Sequence, residues 1–342
     1  MTASPARVAC PTVLAIALLH GWCVGCAGAS NDDAFTFTSI AEDGSDLLLD
    51  RPVAVGASLD IQVRLKGTTS SGGRVEIARV SFEPAGIFAI DTLANPVVVR
   101  AMQPGQATLR VVDHVDQQGS ILLSAVEAAR IEPIGSMLIG SIETALASEV
   151  MAQGVLLHAS VSLFLDVELR DASDSLLLGY GAAHWSTSQP DTLAIESALS
   201  STSSRVRCVL GYQTGSVLVS SGLGPEVEIE VTDEIPSART LRLFGARTFL
   251  TDPAPAEVTP PIMLPTGRTR TLAVLGFDDH ERVIAASFAN GLAASAPTGF
   301  QETLVFLPNH HLLSISGISP GQVDIDLTWL GASRPVRVIV GD

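Results

Sequence analysis

Apolar and polar residues alternate with a period of two in short runs along most of the chain. Leu59, Ile61, Val63 and Leu65 share one face of such a run, and Leu163, Leu165, Val167 and Leu169 share another. Leu272 and Val274 open a third. A period of two sends successive side chains to opposite faces of a strand, so each run predicts a half-buried β-strand. The runs are short, evenly spaced and bounded by Gly, Pro, Ser and Asp, which is the pattern of a β-sandwich. Beyond the N-terminal segment the best helical candidate is Ser141–Gln153.

The same pattern recurs three times, at a spacing of about 105 to 110 residues. A glycine turn and an alternating strand mark each copy: Gln103-Pro104-Gly105-Gln106-Ala107-Thr108-Leu109, Gln213-Thr214-Gly215-Ser216-Val217-Leu218, and Ser319-Pro320-Gly321-Gln322-Val323-Asp324-Ile325. Proline fixes φ at about −65° and glycine accepts positive φ, so Pro-Gly predicts the central pair of a type II turn. The middle segments also match, Ile87-Phe88-Ala89-Ile90-Asp91 against Thr192-Leu193-Ala194-Ile195-Glu196. The copy starts agree as well, Ala129-Arg130-Ile131 against Arg239-Thr240-Leu241.

Trp185-Ser186-Thr187-Ser188-Gln189-Pro190, then Leu193-Ala194-Ile195, then Gly215-Ser216-Val217-Leu218-Val219, resembles the group 2 bacterial immunoglobulin-like domain. That family's pattern is a Trp-Ser-Ser-x-Pro-like strand end, a Val-Ala-x-Val-like strand, and a Pro-Gly turn leading into an Ala-Thr-Ile strand. The first copy carries the last two elements, with Phe82 near the tryptophan's place; the third keeps only Pro320-Gly321 and its strand. The resemblance implies an all-β chain of tandem immunoglobulin-like sandwiches, with limits near 34–128, 129–236 and 237–342. Modules of this kind act as adhesive or structural units on bacterial surfaces, as in intimin-like and invasin-like proteins. A non-catalytic adhesion or spacer role is therefore the expectation by analogy, with an accessory glycan- or peptide-binding surface protein as the alternative.

Residues 1–26 read as an export signal, with Arg7 ahead of an apolar run from Val8 to Leu19. The run is shorter than the ~20 apolar residues a membrane-spanning helix needs. Cys23-Val24-Gly25-Cys26 resembles the lipobox of bacterial lipoproteins, which implies lipidation of Cys26 and a membrane anchor. It departs from the pattern in having Cys23 where a large aliphatic residue is usual. Ala27 follows the cysteine, with no aspartate to suggest inner-membrane retention, so the outer membrane or cell surface is the expected location; a periplasmic or secreted protein is the alternative. Residues 27–33 would form a tether. With Cys26 acylated, Cys208 would be the one thiol left, and no disulfide could support the domains.

Of the 342 residues 46% are hydrophobic and 16% charged, which suits packed aliphatic cores rather than disorder. The formal charge of −16 repels phosphate backbones and argues against nucleic acid, leaving cations, basic proteins and neutral glycans as partners. The chemistry-bearing residues are scattered. His20, His114, His158, His184, His280, His310 and His311 have no zinc-site spacing and read as loop histidines. No phosphate-binding loop is present, no cofactor or metal is expected, and no hydrolase triad can be argued from isolated serines. Asp278-Asp279, with His280 and Glu281, could hold a calcium ion at a domain edge, as could Asp171 and Asp174; solvated turn carboxylates are the plainer reading. Cys208 and Trp329 sit at alternating positions that place them in cores, and Trp185 reads as a core residue rather than a ligand platform.

Overall fold

A computed structural model describes residues 34–40, 46–47, 49–67, 75–139, 142–197, 205–245, 256–286, 291–309 and 311–341. The leader, Cys26, the tether, His20 and His310 lie outside the described residues.

The alternating runs become the strands of three two-sheet sandwiches. The first contains β1 (Phe35–Ile40), β2 (Asp46–Leu47), β3 (Val53–Ala54), β4 (Ser58–Leu65), β5 (Ile77–Glu83), β6 (Phe88–Thr92), β7 (Val97–Ala101), β8 (Gly105–Asp113) and β9 (Gln118–Val126). Its sheets run β2-β1-β4-β7-β6 and β3-β9-β8-β5. Neighbours are antiparallel except β3 and β9, which are parallel. This is the A-B-E-D against C-F-G arrangement of an immunoglobulin-like sandwich, with a short A′ strand beside G.

The second sandwich repeats the plan with β10 (Arg130–Ile139), β11 (Ile142–Leu146), α1 (Ser148–Met151), β12 (Val155–His158), β13 (Ser162–Arg170), β14 (Ser186–Thr187), β15 (Leu193–Ser197), β16 (Val206–Leu210), β17 (Gly215–Ser220) and β18 (Val227–Thr232). Its sheets run β11-β10-β13-β16-β15 and β12-β18-β17-β14. The third has β19 (Thr240–Gly245), β20 (Ile262–Pro265), β21 (Thr269–Phe277), β22 (Val283–Ala285), β23 (Ala293–Ser295), β24 (Leu304–Asn309), β25 (Leu312–Gly317), β26 (Gly321–Trp329) and β27 (Ala332–Gly341). There the two faces are β19-β21-β25-β24 and β20-β27-β26-β23. The chain is thus an all-β protein of tandem immunoglobulin-like sandwiches.

Alternation decides which side chains enter each core. On β26, Val323, Ile325, Leu327 and Trp329 are buried while Gln322, Asp324, Asp326 and Thr328 face out. Ile61, Val63, Leu109 and Val111 fill the first core, and Leu163, Leu165, Val217 and Ile229 the second. Leu272, Ile315, Ile325 and Val338 fill the third. Trp185 packs half-buried on the second core, where Cys208 is also buried. The middle segments 88–92 and 193–197 are the equivalent strands β6 and β15, and the copy starts open β10 and β19.

Burial drives the Cys208 thiol up to about 12, so it stays protonated at neutral pH. A thiol reagent at pH 8 is expected to leave it unmodified in the folded protein and to react once denaturant opens the second sandwich; timed mass spectrometry reads this directly.

Two expectations fail. The helix expected over Ser141–Gln153 shrinks to the single turn α1, because Ile142–Leu146 pairs along β10 as a strand. Nor are Pro104-Gly105 and Pro320-Gly321 the centres of type II turns, and Thr214-Gly215 behaves as they do. Gly105, Gly215 and Gly321 instead begin β8, β17 and β26, and φ at Gly105 is 147° rather than the roughly +80° of such a turn. A Cβ at Gly105 would meet only the Ile87 side chain, whose end can turn away, so it is the positive φ that favours glycine there.

Candidate functional site

A chain of similar sandwiches can act as linked beads or as one body, and the segments between its units decide which. Three aspartates begin that local construction. Asp171 Oδ1 accepts the N–H groups of Ser173 and Ser175 at 2.8 and 2.9 Å. Asp278 Oδ1 accepts those of His280 and Arg282, both at 2.9 Å. Asp113 Oδ1 accepts those of Val115 and Gln117 at 2.9 and 2.8 Å. Each turn has a left-handed residue, Asp174, Glu281 or Asp116, at φ 67°, 66° and 61°. The Ser173 hydroxyl, followed by backbone donors, holds the Asp171 carboxyl below its ordinary 3.8. Its contribution is therefore present above that pH and lost as pH falls through the depressed value.

Asp113 closes the β8–β9 hairpin, but Asp171 and Asp278 do something else. They end β13 and β21 and turn the following apolar segment onto the preceding sandwich. At the first junction Leu178 lies parallel to β3. Its N–H donates to Pro52 O at 2.8 Å and its carbonyl accepts from Ala54 N at 2.9 Å. Ser58 and Tyr180 then exchange two backbone bonds of 2.8 Å. Ala54, Ala57 and Leu169 are buried between the units with Ile131, Val167 and Leu177 around them. A Cβ on Gly179 would sit 2.6 Å from that of Ala57, and its φ is 113°, so only glycine lets the two backbones approach this closely.

The Tyr180 hydroxyl crosses the junction to donate to the buried Asp60 carboxylate. Burial first, and then this bond, raise the Tyr180 pKa above its ordinary 10.0. The bond's contribution is complete below pH 10.0 and disappears as pH rises through the raised value. Tyr180→Phe removes the donor from a buried carboxylate, and a loss of about 1–3 kcal/mol is expected in denaturant titration.

The second junction goes further. β22 pairs in parallel with β12, Val155 opposite Val283 and Leu157 opposite Ala285, and Val283 N donates to Gly154 O at 3.1 Å. It also pairs with β21 through Phe277 and Val283, so one sheet of the second sandwich continues into the third as nine strands. Leu178 follows Asp171 at the interval at which Ala285 follows Asp278, and the two contacts are repeats of one device. Phe244, Ala273, Leu275 and Phe277 share an apolar cluster with Leu146, Val150, Met151 and Val155 of the second unit. β21 is consequently buried on both faces from Leu272 to Phe277.

Polar groups close the rim of this contact. Arg282 Nε and Nη2 bind Asp278 Oδ2 at 2.9 and 2.8 Å, and Nη1 reaches Glu230 of β18. Arg242 lies 4.3 Å over the Phe277 ring and pairs with Glu281. Thr144 of β11 meets the fully buried His311 ring, whose carbonyl accepts Val274 N at 2.7 Å.

The sequence candidates fall as follows. Asp278, Asp279 and His280 bring three donor atoms within 4.8 Å of one another, but both Asp278 oxygens already serve the turn and Arg282. Asp171 and Asp174 likewise belong to a turn. His311 lies in the turn between β24 and β25, as a loop histidine should, but it is buried between two units, and nothing in the neighbouring sequence signals that burial. Gly317-Ile318-Ser319-Pro320-Gly321 has the spacing of a hydrolase elbow. Ser319, however, lies between β25 and β26 and donates its hydroxyl to Glu302 O, outside any strand–turn–helix setting. A depression of about 380 Å³ beside β16 is lined by Leu138, Ser160, Val161, Arg207, Cys208 and Leu210; the Ser160 hydroxyl lies 2.9 Å from His158 Nδ1, an exposed contact within one turn whose ring nitrogen also accepts the Ser160 N–H.

No family model matches the sequence, and no curated protein does. Solved structures do match. Domains 4–9 of the surface layer protein SbsC align over 92% of this chain at 13% identity and a TM-score of 0.32, and the chain spans 47% of that fragment's length. The Escherichia coli adhesin FdeC aligns over 92% of this chain and 99% of its own, at 12% identity and a TM-score of 0.23. The Bacteroides ovatus protein SGBP-B, in complex with a mixed-linkage heptasaccharide, aligns over 91% and 71%, at 10% identity and a TM-score of 0.25.

Proposed function

We propose that this chain is a non-catalytic, lipid-anchored protein of the bacterial cell envelope, whose sandwiches form a stiff spacer presenting surface loops for adhesion or structural contacts. The observation that carries the reading is the pair of junctions. Strand pairing and shared apolar burial, rather than free linkers, join consecutive units. Stiffness is what a spacer requires, because a flexible tether collapses toward the surface that holds it. Among the described residues the exposed large apolar side chains are aliphatic apart from Tyr212, whereas a glycan platform needs grouped aromatic faces. This favours the spacer over the accessory glycan-binding alternative. We take 34–128, 129–236 and 237–342 as the module limits, residues 1–26 as the signal, residues 27–33 as the tether and Cys26 as the lipidated residue.

Labelled-palmitate incorporation, comparing the intact chain with Cys26→Ser, tests the anchor. Label on the intact chain and none on the variant is expected. An intact chain without label would leave a released or periplasmic protein and remove the anchored spacer.

A further inference from the structure

The two junctions follow one rule, and the third sandwich carries the receiving half of it unused among the described residues. Val53, Leu157 and Leu264 are equivalent: each stands at the same interval before β4, β13 or β21, and each pairs with the parallel G-type strand, at Ala125, Val231 or Val340. The residue just before each is Pro52, Leu156 and Met263. Pro52 and Leu156 lie against the segment that the next sandwich lays beside them. Leu156 is 9% exposed in a cluster with Ile284 and Ala286. Met263, in the same register position, is 60% exposed, and β20 ends its sheet.

We propose that the outer edge of β20 is a docking edge for the corresponding segment of a further immunoglobulin-like module, added in parallel as Leu178 is on β3 and Val283–Ala285 on β12. The inference rests on the junction geometry and is independent of the anchor. The acceptor groups required are in place. The Pro52 carbonyl that accepts Leu178 N corresponds to that of Met263, and the Gly154 carbonyl that accepts Val283 N corresponds to that of Pro261. Pro265 stands in the place of Ala54 and lacks the N–H that Ala54 donates to Leu178, so pairing at this edge would rest on the Pro261 and Met263 carbonyls and lose that one bond.

The occupant is defined by its chemistry. It is an extended apolar triplet directly after an aspartate-closed turn, as in Leu176-Leu177-Leu178 or Val283-Ile284-Ala285. Main-chain bonds would supply the pairing, and one outward apolar side chain would cover Met263 as Ile284 covers Leu156. The first unit of a second copy does not offer such a segment. Between β4 and Val75 its sequence is Lys66-Gly67-Thr68-Thr69-Ser70-Ser71-Gly72-Gly73-Arg74, without an aspartate or an apolar triplet. The fitting partner is a different module of the same class.

The test extends the full chain after Asp342 with a flexible Gly/Ser linker and a second copy of the Gly276–Ala286 sequence, beside a version in which that added sequence is scrambled. Met263 is read by its rate of sulfoxide formation in dilute peroxide, with Met102, 54% exposed in the first sandwich, as the internal reference. Tethering raises the local concentration to roughly millimolar, and Met263 oxidation is expected to slow on the order of fivefold with the authentic segment only. Amide exchange at Met263 should slow in parallel, while Met102 is unchanged. Equal Met263 rates in the two versions, or protection by the scrambled sequence as well, would overturn the proposal.

Discussion

Ile284→Asp is expected to lower stability by about 4–5 kcal/mol and to split one unfolding transition into two. Ile284 is fully buried between Leu156, Ala286, Ala238 and Leu330, where no water reaches a carboxylate. The side chain also sits on β22, the strand through which the sheet of the second sandwich continues into the third. Introducing a charge there opposes both apolar burial and strand pairing, the class of substitution with the largest single-site costs. In denaturant the second and third sandwiches of the unaltered protein are expected to unfold together, with a slope that reflects the surface of both. The variant is expected to show a separate, shallower transition for each. A single shifted transition with an unchanged slope would mean that the contact stabilises the units without coupling them.

Asp278→Ala is expected to cost about 3 kcal/mol, more than twice the effect of Asp113→Ala. Both aspartates accept two backbone N–H groups, so both lose a turn closure. Asp278 alone also holds a guanidinium at a module junction: Arg282 is bound at 2.8 and 2.9 Å and is itself largely shielded from solvent. Removing the carboxylate leaves that cation with Glu230 as its remaining acidic partner and frees β22 to leave β12. Asp278→Asn keeps an oxygen for the backbone donors but gives up the charge, and it should recover about half the loss. Equal costs for Asp278→Ala and Asp113→Ala would show that the turn matters and the junction does not.

The strands were legible in the sequence because most core strands are half-buried, so the alternation of Leu59, Ile61, Val63 and Leu65 or of Val323, Ile325 and Leu327 reports their environment directly. The repeat was legible for the same reason. The junctions were not, because their determinants act between copies. Asp171 and Asp278 look like solvated turn residues until the segments after them are seen against β3 and β12. A signal was nevertheless present: Leu272-Ala273-Val274-Leu275-Gly276-Phe277 abandons alternation, and a continuous apolar run marks a strand covered on both faces. Leu176-Leu177-Leu178 and Val283-Ile284-Ala285 are too short to predict as strands of their own sandwich, and they pair with another one. The helix expected over Ser141–Gln153 failed through the same limitation, since strand pairing along β10 outweighed local preference.

The coupling of the modules is most directly measured as a distance distribution between spin labels on the first and third sandwiches. Val115→Cys, 73% exposed, and Leu307→Cys, 66% exposed, place the labels. Cys10, Cys23 and Cys26 are replaced by serine, and Cys208 is protected by its burial. A single narrow distribution is expected, broadening when Ile284→Asp is added. A broad distribution in the protein without that substitution would contradict the stiff spacer and leave three sandwiches on a flexible string.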